Sequence, residues 1–491
     1  MASRFRVRPI GHRAADTDPA DAFVALFGGA RDAVWLDAGP AAASGRSILG
    51  TGTRVATYSV ARREVTVRSP RGTQVIPGTM VGFLGQDLAG GGHRVPEDAF
   101  PLGWTGWLGY ESGAVELGVP IPDAPVEPDA GVDAAMLFLD RAVVFDHARG
   151  SADLVWLEDD GDAANGSGGE HGAAMEAWAL TTATTLASCS GAANAFLDAH
   201  PLDAHPVPAR WRHDDATYLS MIASCQDAIR NGDAYQLCLT NSAAARSDAH
   251  PLAVHLRLRE ASPAHHGGFL RVAGESLVSS SPEQFLAVTR TGLVRTRPIK
   301  GTRPRGATVA RDLELRADLE SSEKERAENV MIVDLMRNDL ARVCDVGTVE
   351  VHDLLSVESY AQVHQLVSTV QGRLAAGRTA LDAVAACFPA GSMTGAPKIS
   401  AMRILGALEK GRRGVYAGCF GYFGLDGSAD LAMVIRSIHL ADGRVTIGAG
   451  GGITALSDPR EELEEVRIKA RALFAAAGLE PSGNGSTDSN V

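Results

Sequence analysis

Two Asp-Gly steps near the end of the chain, Asp426-Gly427 and Asp442-Gly443, constrain its fold more than any other local feature. The first joins two strand-like runs, 418–425 and 429–440, and the second leads into Val445 to Ile447. Asp-Gly readily adopts the positive φ of a two-residue turn, so these runs read as β-hairpins. Upstream, Ala216 to Asn231 has helical period and stops at Gly232, and strands are expected around 234–240, 276–290 and 293–299. A long helix is expected from about Asp312 to Arg342, and a last one from Pro459 to about Ala477. Residues 1–200 read as short strands and turns with few helices, Trp104 to Tyr110 being one strand. The Gly- and Asp-rich stretch 158–174 reads as a flexible surface loop, and 479–491 as a disordered tail.

With 491 residues, the chain has room for two or three domains or one large enzyme body. Its net charge of −13 argues against nucleic acid or an anionic membrane as the main partner. No stretch approaches the ~18 apolar residues of a membrane helix. The basic start, MASRFRVRPIGHRAAD, has no apolar run behind it and so does not read as a signal peptide. Six scattered cysteines make no CxxC pair, which points away from a thiolate zinc site and toward a reducing, cytoplasmic setting.

Three constellations could carry chemistry. Glu325 and Glu328, in EKERAEN, and Glu462 and Glu465, in EELEEVRIKA, are two i, i+3 pairs on two expected helices. Two such pairs can enclose one hard cation such as magnesium; alternatively, both are solvated faces with Lys324, Arg326, Arg467 and Lys469 as ion-pair partners. In RPIKGTRPR, Lys300 stands among three arginines, whose charge is expected to lower its pKa and favour a nucleophilic amine. Read otherwise, this is a basic anion-binding loop. Gly391 to Lys398 fails the Walker pattern, and Gly448 to Gly452 lacks the third glycine of a dinucleotide fingerprint. Both could still offer backbone N–H groups to a carboxylate, or be plain turns.

From Trp211 to Gly478 the order and wording of these segments resemble the chorismate-utilising enzymes. The resemblance rests on DAYQLCLT, SSSPEQFL, RPIKGTRPR, AENVMIVDLMRNDL, YAQVHQLVS, FPAGSMTGAPK, GVYAGCFGYFG, IRSIHL and GAGGGIT…EELEEVRIKA. Residues 1–200 resemble the N-terminal, anthranilate-synthase-component-I-like part of the same family through WLDAG…GRSILG, beside a chorismate-binding catalytic region at 211–478. The family fold is α+β, two large antiparallel sheets packed face to face with helices outside, and the N-terminal part would add strands to the same body.

The resemblance implies roles residue by residue. Glu325, Glu328, Glu462 and Glu465 match a Mg²⁺ cage that bridges to the ring carboxylate of chorismate. Arg436, Tyr416 and the backbone at Gly450, Gly451 and Gly452 match positions that hold the enolpyruvyl carboxylate, and Lys469 matches a lysine near the metal. Thr302, His364 and Thr394 would line the same site. Glu283 matches the general acid for the departing C4 hydroxyl.

Two positions sort the branch. Gln236 stands where water-adding members carry lysine. PIKGT stands where anthranilate synthases have PIAGT, and it matches the aminodeoxychorismate synthases, which form the precursor of para-aminobenzoate and folate. The implied mechanism is a covalent Lys300 adduct at C2, displaced as ammonia adds at C4. No GxCxG nucleophile turn occurs, Cys419 lying in AGCFG, so a partner glutaminase or free ammonia is expected to supply nitrogen. The rival readings are anthranilate synthase component I and a non-catalytic binding protein.

Overall fold

The computed structural model describes residues 3–11, 17–90, 94–122, 131–159, 167–360 and 363–482. Among these, two large, almost wholly antiparallel sheets form an α+β body. One sheet has 13 strands and the other 12 among the described residues. Strands from before residue 200 lie inside both. Ala33–Asp37 pairs with His266–Val272, Trp35 opposite Phe269. Gly103–Leu108 pairs with Cys419–Gly424, Trp107 opposite Phe420.

The strand pleat sorts the core. On Gln236–Arg246, Leu237 and Leu239 join an apolar cluster shared with helix residues Tyr218, Ile222, Val466 and Leu473, while Cys238 joins the cluster between the sheets. The inter-sheet cluster holds Trp104, Trp107, Leu137, Leu270, Leu277 and Phe285. One sheet therefore has apolar contact on both faces.

Both hairpin turns form: Cys419–Gly424 pairs with Ala429–Met433, and Ser437–Ala441 with Arg444–Ile453. Two expected strands each prove to be two, in different sheets. The run 276–290 divides at Pro282 into Glu275–Ser281 and Gln284–Val288, because proline has no N–H for a ladder. The run 429–440 divides into Ala429–Met433 and Ser437–Ala441, with Arg436 at φ 50 in the left-handed region. The two crossings run side by side. The Ser280 amide donates to the Arg436 carbonyl (3.1 Å), and the Met433 amide donates to the Glu283 carbonyl (3.0 Å).

The expected 312–342 helix is likewise two, Val309–Ser321 and Glu323–Ala341. Ser322 breaks it with an extended ψ of 108° and caps the second helix through the Glu325 amide. Glu325 is thereby fixed in a first turn, with Glu328 one turn on.

The N-terminal part has more helix than expected: Pro19–Phe27, Met80–Ala89, Tyr110–Glu116, Ser167–Leu186 and Ala192–Ala199. Ser167–Leu186 takes in the end of the supposed 158–174 loop; 160–166 lie outside the described residues. Met175, Ala179, Thr182 and Leu186 are buried along one side of that helix, a helical stripe hidden among alanines and threonines. Leu479–Pro481, expected in the tail, pairs in parallel with Val207–Trp211, and 483–491 lie outside the described residues.

Candidate active site

The crossings open onto a cavity of about 550 Å³. Its wall carries Glu283, Lys300, Thr302, Glu325, Glu328, Tyr416, Arg436, Gly450, Gly451, Gly452, Glu462, Glu465 and Lys469. These come from both crossings, the turn that carries Tyr416, the Ile299–Pro304 strand, two helices and the Arg444–Ile453 strand, far apart in sequence. A larger cavity of about 680 Å³, beside Trp211 and Arg412, holds none of them. Catalysis needs convergent acid, base and nucleophile groups, so the smaller cavity is the candidate.

His364 and Thr394 do not line it. Val363 and Gln365 face the cavity, and the pleat turns His364 the other way, where its Nε2 is 3.0 Å from Asp312 Oδ1 and its Nδ1 2.8 Å from Ser359 Oγ. Thr394 is fully buried and its Oγ1 donates to the Ala390 carbonyl at 3.1 Å. Its neighbours Ser392 and Met393 do reach the wall.

Lys300 reaches the cavity through a bulge. Register against Val363–Arg373 shifts between Lys300 and Thr302, with Gly301 at φ 77. A Cβ at Gly301 would also lie 2.9 Å from the Glu325 carboxyl carbon, so glycine is required on two counts. Lys300 Nζ lies 3.3 Å from Glu328 Oε2. The expectation that neighbouring arginines lower its pKa is not met. Arg297 pairs with Glu358, Arg303 with Asp318 at 2.6 Å, and Arg305 with Asp312 through two bonds of 2.8 Å. Burial does push the Lys300 amine down, but the charge of Glu328 and smaller contributions from Cys238 and Glu283 outweigh it and hold the pKa above the usual lysine range.

Glu283 is the opposite case. Burial pushes its carboxyl up to about 7, against a hydrogen bond from Ser392 and the charges of Lys300 and Lys469. A carboxylic acid that keeps its proton near neutrality can donate it to a leaving oxygen. Ser392 was not singled out from the sequence; its place in the Gly391–Lys398 loop was the available signal.

Three of the four paired glutamates have a cation of their own, and the fourth shares Arg303 with Asp318. Lys300 meets Glu328, Lys324 Nζ donates to Glu462 Oε1 at 2.9 Å, Lys469 lies 2.5 Å from Glu465, and Arg303 is 3.8 Å from Glu325. Among the described residues no three carboxylates, histidines or cysteines converge as a ready metal cluster. The donor set nevertheless fits a hard divalent cation. Burial, then the charges of Glu328 and Glu465, raise the pKa of Glu325, so these carboxylates are close enough to repel one another. Glycine keeps the space beside them open: a Cβ at Gly451 would sit 2.9 Å from Glu462 Oε2, and one at Gly452 3.3 Å from Glu328 Oε2.

Gly448 to Gly452 form part of a strand, not a loop. They pair with Gln236–Arg246 on one edge, while pairing with Ser437–Ala441 stops at Ile447. The freed edge faces the cavity, and there the Gly450 carbonyl accepts from Lys469 Nζ at 2.8 Å. A Cβ at Gly448 would strike the Tyr416 ring at 2.1 Å. Below the floor, the buried Arg413 guanidinium donates twice to Glu409 (2.8 and 2.7 Å) and to the carbonyls of Met393 (2.6 Å) and Cys238 (2.9 Å), both cavity residues.

A profile of the chorismate binding enzyme family matches residues 58–475. An aminodeoxychorismate synthase of Streptomyces griseus is 42% identical over 466 residues, covering 92% of this chain and 62% of that protein. The chain thus spans less than two thirds of the length of that relative. The anthranilate synthase component 1 of Streptomyces coelicolor is 38% identical over 389 residues, covering 77% of this chain and 73% of that protein. The crystal structure of anthranilate synthase component I from Streptococcus pneumoniae superposes with a TM-score of 0.71 at 29% identity, over 87% of this chain and 92% of that one.

Proposed function

The chain belongs to the chorismate binding enzyme family, and on that premise we propose that it replaces the C4 hydroxyl of chorismate with ammonia, giving 4-amino-4-deoxychorismate. The observation that carries this reading is Lys300, half-buried in the wall of the same cavity as Glu283 and paired with Glu328.

The reaction runs as two allylic displacements. Glu283 gives its proton to the C4 hydroxyl, which leaves as water while the neutral amine of Lys300 bonds to C2 and both conjugated ring double bonds shift toward C4. Ammonia then bonds to C4, both double bonds return, the C2–N bond breaks to release Lys300 with its electron pair, and the new C4 ammonium gives a proton back to Glu283. The net change is loss of water and gain of ammonia, and the enolpyruvyl ether is untouched. Arg436 and Lys469 meet the substrate's negative charge. Thr302 stands next to the nucleophile. Glu325, Glu328, Glu462 and Glu465 would hold Mg²⁺, which when bound supplies a template and Lewis acid for the ring carboxylate. Were Glu328 to turn to that cation, Lys300 would lose the partner that holds its charge.

The ammonia is assigned to a partner glutaminase. All six cysteines of these 491 residues are buried, and burial raises the Cys419 thiol, so no thiolate nucleophile stands at the surface to hydrolyse glutamine. The second reading is C2 amination, the chemistry that an anthranilate synthase name denotes; Lys300 in PIKGT favours C4.

The deciding experiment is product identification from chorismate, ammonium and Mg²⁺. 4-Amino-4-deoxychorismate supports the assignment, and anthranilate alone replaces it.

A further inference from the structure

Lys324 is the one cavity lysine to which the reaction above gives no task. It occupies the first turn of the Glu323–Ala341 helix, next to Glu325, yet reaches across to Glu462 on the Pro459–Ala476 helix. The pair is lopsided: the Glu462 side chain is 2% exposed and the Lys324 side chain 38%. Glu462 Oε1 also accepts from Ser457 Oγ at 2.7 Å, which fixes the carboxylate in place. A buried carboxylate without a cation is costly, so something must neutralise Glu462 whenever no divalent ion does. Lys324 is placed to do this and, on its long half-exposed stem, is free to leave for water where Glu462 cannot follow.

We propose that Lys324 is a built-in counter-cation. It neutralises Glu462 in the metal-free chain and swings into solvent when a divalent cation takes that carboxylate. The ammonium therefore competes with the metal and sets its affinity. This rests on the metal reading above.

The test is calorimetric titration of the full chain with Mg²⁺, with and without chorismate, for wild type, Lys324→Met and Lys324→Arg. Methionine keeps the stem and removes the charge. The expected result is about tenfold tighter Mg²⁺ binding by Lys324→Met, within the usual range of site-to-site coupling, and no gain for Lys324→Arg. The metal-free methionine variant should also melt below wild type, and the difference should close at saturating Mg²⁺. Should Lys324→Met fold poorly, Lys324→Gln carries the same comparison. If wild type binds Mg²⁺ and neither neutral variant binds it more tightly, or if Lys324→Arg gains as much as they do, the counter-cation role is overturned while the metal site stands. If wild type binds no divalent cation even with chorismate present, the metal reading fails first and this inference with it.

Discussion

Lys300 Nζ and Glu328 Oε2 lie 3.3 Å apart, so the proposed nucleophile and a proposed metal ligand offset each other's charge. The pairing links two parts of the chemistry: whatever draws Glu328 away also removes the charge that keeps Lys300 protonated.

Lys300→Ala is expected to lose most C4-aminated product while keeping Glu283 and the carboxylate clamps. Ammonia can then attack C2 directly, so some C2-aminated product or anthranilate should appear in chromatographic analysis. A lost covalent route costs several kcal/mol of barrier, each ~1.4 kcal/mol being a factor of ten. Lys300→Arg, which keeps charge but cannot readily deprotonate, should be as impaired. Wild-type C4 amination by Lys300→Arg would refute the adduct.

Glu328→Gln or Glu465→Gln should remove most activity with the circular dichroism spectrum unchanged. Chelation should do the same to wild type, reversed by Mg²⁺. Full turnover in excess chelator would remove the metal from the mechanism.

The acid role of Glu283 sets a pH limb. With its pKa pushed up to about 7 by burial, the proton is present below that value and lost above it. The rate of the chemical step should therefore fall as pH rises through about 7. Glu283→Gln should lower that rate roughly 10²–10⁴-fold and abolish the limb. Measured pH profiles of both proteins check this, and an unchanged high-pH limb in the glutamine variant assigns the limb to another group.

Supplied with ammonium salts, the purified chain should turn over; supplied with glutamine alone, it should not. Glutamate release from glutamine by the pure chain would contradict the partner assignment.

Arg413→Met strands Glu409 beneath the cavity floor and frees the carbonyls of Met393 and Cys238. Breaking a buried ion pair from one side costs about 3–5 kcal/mol. Denaturant melts should show that loss, and Arg413→Met/Glu409→Leu together should recover part of it.

Much of the fold and site is local enough to be legible in the sequence. The Asp-Gly turns and the Pro459 helix are written in neighbouring residues, because turns and helical periods depend on interactions a few positions apart, whereas the break and cap at Ser322 escape a reading by helical period alone. The glutamate pairs and Lys300 are visible for the same reason, as residue types at local spacings, while Glu283 is picked out only by the family resemblance of SSSPEQFL. Tertiary structure decided which sheet each half of 276–290 and 429–440 joins, and thus that Glu283 and Arg436 meet at neighbouring crossings. It also decided that the arginines of RPIKGTRPR turn to Glu358, Asp318 and Asp312, leaving Lys300 to Glu328, and that His364 faces Asp312 rather than the cavity. Charge pairing and side-chain facing are set by whichever element packs alongside. Apart from Asp312, seven residues beyond Arg305, those partners lie 15 or more residues away, so no local pattern specifies them.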